Sequence, residues 1–259
     1  ARAARLTEPP CLAAVSVGAQ PDDRAYLHSI ALSAAGCGVT VRPVPLPADC
    51  APETLTDTLR TLSADGGVHG VLLLRPLPAA LRAQEILDAL DARKDVDGMT
   101  TRSLGALVTG AAGFAPCTAQ ACLELLDYYG VPLAGRRAVV IGRSLVVGQP
   151  AALLLQRRNA TVTVCHTGTR DIPALSRDAD IVIAAAGRPG LITADFLRPG
   201  QTVLDVGVHP GPDGTLCGDV AAEAAALDVA LTPVPGGVGS VTSAVLCKHT
   251  IQAAENTRL

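Results

Sequence analysis

Two glycines between apolar segments form the pattern with the clearest chemical meaning in this sequence. Residues 136–169 read RRAVVIGRSLVVGQPAALLLQRRNATVTVCHTGT, in which Gly142 ends one β-branched run and Gly148 opens an apolar helical segment. A second β-branched run follows at residues 161–165, so the segment predicts strand, glycine turn, helix and strand. A βαβ unit of this kind binds a dinucleotide at its first turn, where the helix N-terminus offers backbone N–H groups to a pyrophosphate.

The glycine loop also carries information on which dinucleotide would bind. Because the loop departs from GxGxxG, a glycine turn without any ligand remains the alternative. An NAD site has an acidic residue near the end of the second strand, where this chain has Cys165, His166 and Thr167. No carboxylate is present there to repel a 2′-phosphate. Arg143, His166 and Thr167 can hold a 2′-phosphate. The sequence therefore predicts NADP rather than NAD.

Composition narrows the classes of function. The chain has 259 residues, of which 49% are apolar and 2% aromatic, and its formal net charge is −3. No basic cluster indicates a nucleic-acid partner, and no apolar run reaches the ~18 residues that would span a membrane. The N-terminal residues contain no secretory segment, although the chain does not begin with Met. The eight cysteines form no CxxC pair and no metal-ligand cluster, so we expect reduced thiols, no metal, and a cytoplasmic location.

Strand and helix signals alternate along the chain, which predicts an α/β fold with parallel sheets. Strands are predicted at residues 12–17, 39–44, 69–74, 138–141, 161–165, 181–185 and 203–206. Helices are predicted at residues 24–35, 54–62, 79–90, 118–129 with Thr118 as N-cap, 148–158 and 240–254, with a short helix after Asp219 and a glycine-rich loop at 106–115. This order predicts one domain of residues 1–118 plus 240–259, a second Rossmann-type domain of residues 119–239, and a ligand cleft between them.

Several long segments resemble the bifunctional methylenetetrahydrofolate dehydrogenase/cyclohydrolases. They are KDVDG (94–98), PCT (116–118), YYGVPLAGRRAVVIGRSLVVGQPAALLL (128–155), NATVTVCHT (159–167), DVGV (205–208) and TPVPGGVG (232–239). The segments occur in the family's order, and the resemblance extends over about residues 10–254. It implies two α/β domains, tetrahydrofolate as the one-carbon carrier substrate, NADP as cofactor, and a homodimer formed through the cofactor domain.

The resemblance also implies roles for individual residues. NADP would be bound by residues of the glycine loop and of the following strand ends, namely Gly142, Arg143, Ser144, His166, Thr167 and Val208. The substrate would lie beside the loop of Pro235, Gly236, Gly237, Val238 and Gly239. The pterin ring would be held by Asp97, since a carboxylate matches its amide–amine edge with two hydrogen bonds. Without the resemblance, residues 94–98 read as an ordinary solvated Asp-Gly turn.

Two positions depart from the family's pattern. The family's Tyr-x-x-x-Lys is Tyr26-Leu-His-Ser-Ile30 here, and alignment on Pro76-Leu-Pro78 places Leu74 where the family has a catalytic Gln. Residues 1–93 contain no lysine that a shifted alignment would supply. His28 is a poor substitute because residues two apart lie on different helical faces. Tyr26 remains at the family position, where it either stacks on the pterin or fills the core.

The missing pair separates the family's two reactions. Hydride transfer from the methylene carbon requires two bound molecules in the right orientation, whereas hydrolysis of the methenyl product requires a positioned water and proton transfer. We therefore expect an NADP-dependent methylenetetrahydrofolate dehydrogenase whose cyclohydrolase activity is weak or lost. Two alternatives stay open: a repurposed protein that transfers the methylene unit to another nucleophile, and a non-catalytic folate-binding protein.

Overall fold

The chain forms two compact units in a computed structural model, residues 1–117 with 243–259 and residues 118–242. The structure describes residues 3, 6, 8–18, 21–211 and 214–257, without the side chains of residues 21–25 and 225. The predicted domain bounds differ from these units by one residue at the first boundary and by three at the second. Within the described ranges, no helix is both long and apolar enough to cross a membrane.

A three-stranded parallel sheet lies at the centre of the first unit. Its order is β2-β1-β3, with β1 at Cys11–Val17, β2 at Thr40–Leu46 and β3 at Gly70–Leu73. Strand β1 is the middle strand, and four of its side chains, Leu12 to Val15, are fully buried. A strand covered on both faces has a continuous apolar run rather than an alternating one, which is the pattern in the sequence.

The helices of the first unit differ from the prediction at two places. Helices α1 (Pro21–Cys37) and α2 (Pro52–Ala64) lie where they were predicted. The helix predicted at 79–90 is instead a 3₁₀ turn at Ala79–Leu81 followed by the short helix α3, Gln84–Leu87. The loop predicted at 106–115 begins four residues too early, because α4 covers Thr101–Thr109, and only residues 110–115 lie outside a helix. Its N-terminus is capped by the Thr100 hydroxyl, which accepts from the Ser103 N–H, and it ends at Gly110.

A five-stranded parallel sheet lies at the centre of the second unit. The order is β10-β7-β6-β4-β5, formed by β4 (Arg137–Ile141), β5 (Thr161–Cys165), β6 (Ile181–Ala184), β7 (Thr202–Asp205) and β10 (Ala230–Leu231). Helix α6 (Gly148–Arg157) connects β4 to β5, so the predicted βαβ unit is present. The chain then crosses to the other side of β4 to form β6. The α/β prediction with a Rossmann-type second domain is confirmed.

Several smaller elements of the second unit differ from the sequence prediction. Helix α7 (Ile172–Asp178), a 3₁₀ turn at Ala194–Phe196 and the antiparallel pair β8 (His209–Pro210) and β9 (Leu216–Cys217) were not predicted. The short helix expected after Asp219 is a 3₁₀ turn at Ala222–Ala226.

The two long helices near the boundaries of the units also begin earlier than predicted. Helix α5 is Cys117–Tyr128, so Thr118 lies inside it and is not its N-cap. The last helix, α8, is Val238–Asn256 and begins two residues before Ser240.

Candidate active site

The carboxyl ends of β4 and β6 form the natural ligand position of the second unit. Strand order reverses between these two neighbours, and ligands of open α/β sheets bind in the crevice at such a switch point. Gly142 follows β4 with φ +131°, and a Cβ there would overlap the carbonyl oxygen of Ala185, which follows β6. Only glycine lets the two strand ends approach this closely, so the loop has the backbone path that a phosphate cradle requires.

Ser144 organises the turn between Gly142 and helix α6. Its hydroxyl accepts from the N–H of Val147 at 3.1 Å and more weakly from that of Gly148 at 3.5 Å. Its carbonyl accepts from the N–H of Gln149 at 3.1 Å. The N–H groups of Val147, Gly148 and Gln149 at the start of α6 therefore already have a partner within the turn. The exposed Arg143 side chain stands beside them as the cation of the loop.

His166 and Thr167 follow β5, as predicted. The His166 Nδ1 accepts from the Gly168 N–H at 3.1 Å, and the His166 N–H donates to the Thr169 hydroxyl at 2.9 Å. These bonds close a tight turn in which Thr167 is exposed. No carboxylate occupies residues 165–167, so this turn carries only neutral or basic side chains.

The loop after β7 carries Val208, whose side chain is 56% exposed although it is apolar. An exposed apolar side chain at the carboxyl end of a parallel strand is suited to contact with a flat ring. The polar residues Asp205, His209 and Asp219, which lie in or bond to this loop, were not predicted as site residues from the sequence. The signal was present as isolated acidic residues inside apolar runs, LDVG and CGDV.

The Pro235–Gly239 segment is part loop and part helix. Pro235 and Gly236 are exposed, Gly237 and Val238 are buried, and α8 already begins at Val238. The loop expected at Pro235–Gly239 is therefore two residues too long, and its final residues form the first turn of α8.

In the first unit, the two aspartates of residues 94–98 have different surroundings. Asp95 is buried, and its two oxygens accept from the N–H groups of Met99 and Thr100 at 3.0 and 2.7 Å. Asp97 is only partly buried and accepts a long 3.4 Å bond from the Cys117 N–H. Desolvation, together with repulsion from Asp95, raises the pKa of Asp97 to about 6. Asp95 therefore has a structural role, and Asp97 retains hydrogen-bonding capacity for a ligand.

Tyr26 and Cys117 lie close enough to Asp97 for its negative charge to raise their pKa values. Desolvation of the hydroxyl, and secondarily the Asp97 charge, raises the pKa of Tyr26 to about 12. The side chain is nevertheless 42% exposed, so Tyr26 does not fill the core and its ring is available to a ligand. The Cys117 thiol is buried and donates to the Val96 carbonyl at 3.2 Å.

Both departures from the family's pattern are buried. Ile30 is fully buried and Leu74 is 5% exposed. His28 is exposed two residues before the buried Ile30, so its side chain does not occupy the position of Ile30. The exposed Arg75 lies close enough to Asp97 to lower its pKa, although this effect is smaller than those that raise it. Arg75 is thus a cation near Asp97.

The fold defines a class: α/β proteins of two units, one of which has the parallel sheet, switch point and glycine turn of dinucleotide-binding folds. Residues 1–97 match the model of the tetrahydrofolate dehydrogenase/cyclohydrolase catalytic domain, and residues 116–258 match that of its NAD(P)-binding domain. Together these matches extend over most of the chain. The protein belongs to the tetrahydrofolate dehydrogenase/cyclohydrolase family.

Individual relatives are similar over nearly their full length. The bifunctional protein FolD of Carboxydothermus hydrogenoformans is 45% identical over 250 residues, which are 95% of this chain and 87% of the relative. The solved structure of the bifunctional enzyme FolD from Campylobacter jejuni has a TM-score of 0.92 at 37% identity, and the match covers 97% of this chain and 90% of that one. The Trypanosoma brucei methylenetetrahydrofolate dehydrogenase-cyclohydrolase, solved with NADP and an inhibitor, has a TM-score of 0.91 at 35% identity, covering 97% and 88%.

Proposed function

We propose that the protein oxidises 5,10-methylenetetrahydrofolate to 5,10-methenyltetrahydrofolate with NADP and hydrolyses the product slowly or not at all. The main observation behind this proposal is that the residues expected to bind cofactor and folate are present, whereas those expected to promote hydrolysis are replaced. The Gly142 cradle and Asp97 are present, whereas Ile30 and Leu74 are buried apolar side chains at the positions where hydrolysis would need proton-transferring groups. Membership of the family makes the dehydrogenase reaction the expected one.

The residues of the second unit fit a bound NADP. When bound, this cofactor accepts a hydride at its nicotinamide ring. Gly142 lets the backbone approach the pyrophosphate, and Ser144 holds the turn before α6. Arg143, His166 and Thr167 would bind the 2′-phosphate, and Val208 would contact the nicotinamide.

Asp97 and Tyr26 would hold the folate in the first unit. With a pKa of about 6, Asp97 is ionised at neutral pH and can accept two hydrogen bonds from the pterin edge. Tyr26 would stack its partly exposed ring on the pterin. The roles of Asp97 and Tyr26 are binding and orientation, which is what hydride transfer between two bound molecules requires.

Tyr26, Asp97 and Arg75 are each unsuited to replace the missing Lys and Gln. Tyr26 has a pKa near 12 and stays protonated at neutral pH, so it cannot accept a proton from water. Asp97 would be occupied by the pterin, and the Arg75 guanidinium has no acceptor atom for a proton of water. The apolar Ile30 and Leu74 side chains also offer no hydrogen bond that would hold a water molecule.

Product analysis tests this proposal directly. Purified protein is incubated with methylenetetrahydrofolate and NADP, while absorbance follows NADPH and the methenyl product and mass spectrometry identifies the folate. NADPH formation with accumulating methenyl product is the expected result. Formyl product appearing faster than in an enzyme-free control would show that Ile30 and Leu74 do not disable hydrolysis. Folate binding without NADPH formation would favour methylene transfer or a purely binding role.

We also propose that the protein is a cytoplasmic homodimer formed through the second unit. Tyr128 and Tyr129 are 81% and 72% exposed, and they lie beside a groove of about 1160 Å³ that also includes the short edge strand β10. A short sheet edge next to large exposed rings is suited to burial against a second copy. Light scattering on the wild type and on Tyr129→Asp tests this, because the variant is expected to be monomeric.

All eight cysteines are free thiols, which supports a reducing compartment and hence the proposed cytoplasmic location.

A further inference from the structure

Among the described residues of the second unit, Asp219 has the side-chain carboxylate that accepts the most hydrogen bonds. Its side chain is fully buried. One oxygen accepts from the N–H groups of Ala186 and Gly187 at 2.6 and 3.0 Å. The other accepts from the Arg188 N–H at 2.9 Å and lies 2.8 Å from the His209 Nε2. Because a carboxylate only accepts, His209 donates from Nε2.

A second buried carboxylate holds Asp219 itself. The Asp205 oxygens accept from the backbone N–H groups of Asp219 and Val220, both at 2.9 Å, and from that of Gly207 at 3.0 Å. A Cβ at Gly218 would overlap the Asp205 carboxylate, so the chain passes as close to this group as glycine permits. The two carboxylates therefore form a chain of fixed contacts rather than a solvated acidic cluster.

This network joins two loops at the edge of the sheet where the cofactor is proposed to bind. Residues 186–188 follow β6, which adjoins β4 at the switch point, and His209 comes four residues after the end of β7. The segment between β7 and His209 contains the exposed Val208. Asp219 thus ties the loop after β6 to the loop after β7.

We propose that Asp219 and His209 are positioning residues for the cofactor site. Asp219 fixes residues 186–188 by accepting three backbone hydrogen bonds. The same carboxylate accepts from the His209 side chain, and this bond fixes the loop that carries Val208. This inference rests on the proposed NADP site. The three N–H groups of residues 186–188 are fully used by Asp219, so the loop contributes shape rather than backbone donors to the crevice.

His209 is the better residue to change, because the fold depends more strongly on Asp219. An Asp219→Asn side chain would turn its own N–H groups toward backbone donors and leave buried groups unsatisfied. Without His209, Asp219 keeps its three backbone partners. His209→Phe keeps a ring of similar shape without the donor, and His209→Gln places an amide N–H the same number of bonds from the backbone. Asp178→Asn, which breaks the exposed Arg137 ion pair of the same unit, is a matched stability control.

The first readout is amide hydrogen exchange in the protein without cofactor. We expect peptides covering residues 185–191 and 206–211 to exchange at least about fivefold faster in His209→Phe than in the wild type. His209→Gln is expected to stay within twofold of the wild type, and Asp178→Asn to leave both peptides unchanged. Equal protection in His209→Phe and the wild type would overturn the structural part of the inference.

The second readout is binding and turnover with NADP. His209→Phe is expected to weaken NADP binding three- to tenfold and to lower kcat by a similar factor, with the KM for folate unchanged and His209→Gln near the wild type. Faster exchange without any change in NADP affinity or kcat would overturn the positioning role. If the wild type binds NADP but reduces none, the proposed dehydrogenase reaction fails, whereas the binding and exchange comparison still decides the role of His209.

Discussion

At the scale of single residues, Asp95 and Asp97 are two positions apart but contribute to stability in opposite ways. Asp95→Asn replaces one acceptor by an N–H donor facing a buried backbone N–H, so the free energy of unfolding should fall by about 2 kcal/mol. Asp97 has a raised pKa in the folded state, so the folded protein binds a proton more tightly than the unfolded chain does. Its contribution to stability is present below pH ~4 and is lost as pH rises toward about 6.

Asp97→Asn should remove that pH dependence. We expect the variant to be at least as stable as the wild type above pH 6, while its KM for folate rises about tenfold or more. Urea unfolding at several pH values from 4 to 8, together with steady-state kinetics, measures both effects. If Asp97→Asn instead loses as much stability as Asp95→Asn, then Asp97 is structural and is not the folate ligand.

Ile30 and Leu74 allow a gain-of-function prediction at the same scale. The double variant Ile30→Lys/Leu74→Gln should form formyl product at least about tenfold faster than the wild type, because it supplies a proton-transferring amine and a hydrogen-bonding amide. Ile30 is fully buried, so a decrease of several kcal/mol in stability is expected as well. Ile30→Met/Leu74→Met is the matched apolar control and should show no increase. A folded double variant without faster hydrolysis would mean that further groups are missing.

At the scale of elements, the β4–α6 turn depends on Gly142. Gly142→Ala should reduce NADP binding at least about 100-fold and destabilise the protein by at least about 2 kcal/mol, because φ is +131° and the new methyl would overlap the Ala185 carbonyl. Calorimetric titration and thermal unfolding measure the two effects. Gly105→Ala in the middle of α4 is the control, since a Cβ there meets nothing within 4 Å and should stabilise by about 0.5–1 kcal/mol. Normal NADP affinity in Gly142→Ala would place the cofactor elsewhere.

The same elements show what sequence could and could not predict. The bounds of β5 were predicted correctly because β-branched residues and two turns mark them. The error at 106–115 has a local cause: glycines suggested a loop, whereas the Thr100 cap begins a helix that Gly110 ends. The Asp219 contacts reach residues 31–33 positions earlier in the chain, and no local pattern encodes such bonds. Asp97 was indicated only by family resemblance, since its sequence alone resembles an ordinary turn.

At the scale of the whole molecule, cofactor preference should appear as differential stabilisation. A ligand that binds only the folded state adds RT ln(1 + [L]/Kd), which is about 2.7 kcal/mol at 100 times Kd. With no carboxylate at residues 165–167 and Arg143 exposed in the loop, NADP should raise the unfolding temperature by several degrees more than NAD at equal concentration. Thermal unfolding with each dinucleotide measures the difference.

Arg143→Gln separates the 2′-phosphate contribution from the rest of this effect. Loss of one charged contact should weaken NADP binding about tenfold, or about 1.4 kcal/mol, and leave NAD binding nearly unchanged, so the two unfolding temperatures converge. Arg102→Gln, an exposed arginine of α4, removes the same charge from the first unit and should preserve the difference. Equal stabilisation of the wild type by NAD and NADP would mean that the absence of a carboxylate after β5 does not select the phosphorylated cofactor. Convergence in both variants would indicate net charge rather than a specific contact, since only Arg143 lies in the loop between β4 and α6.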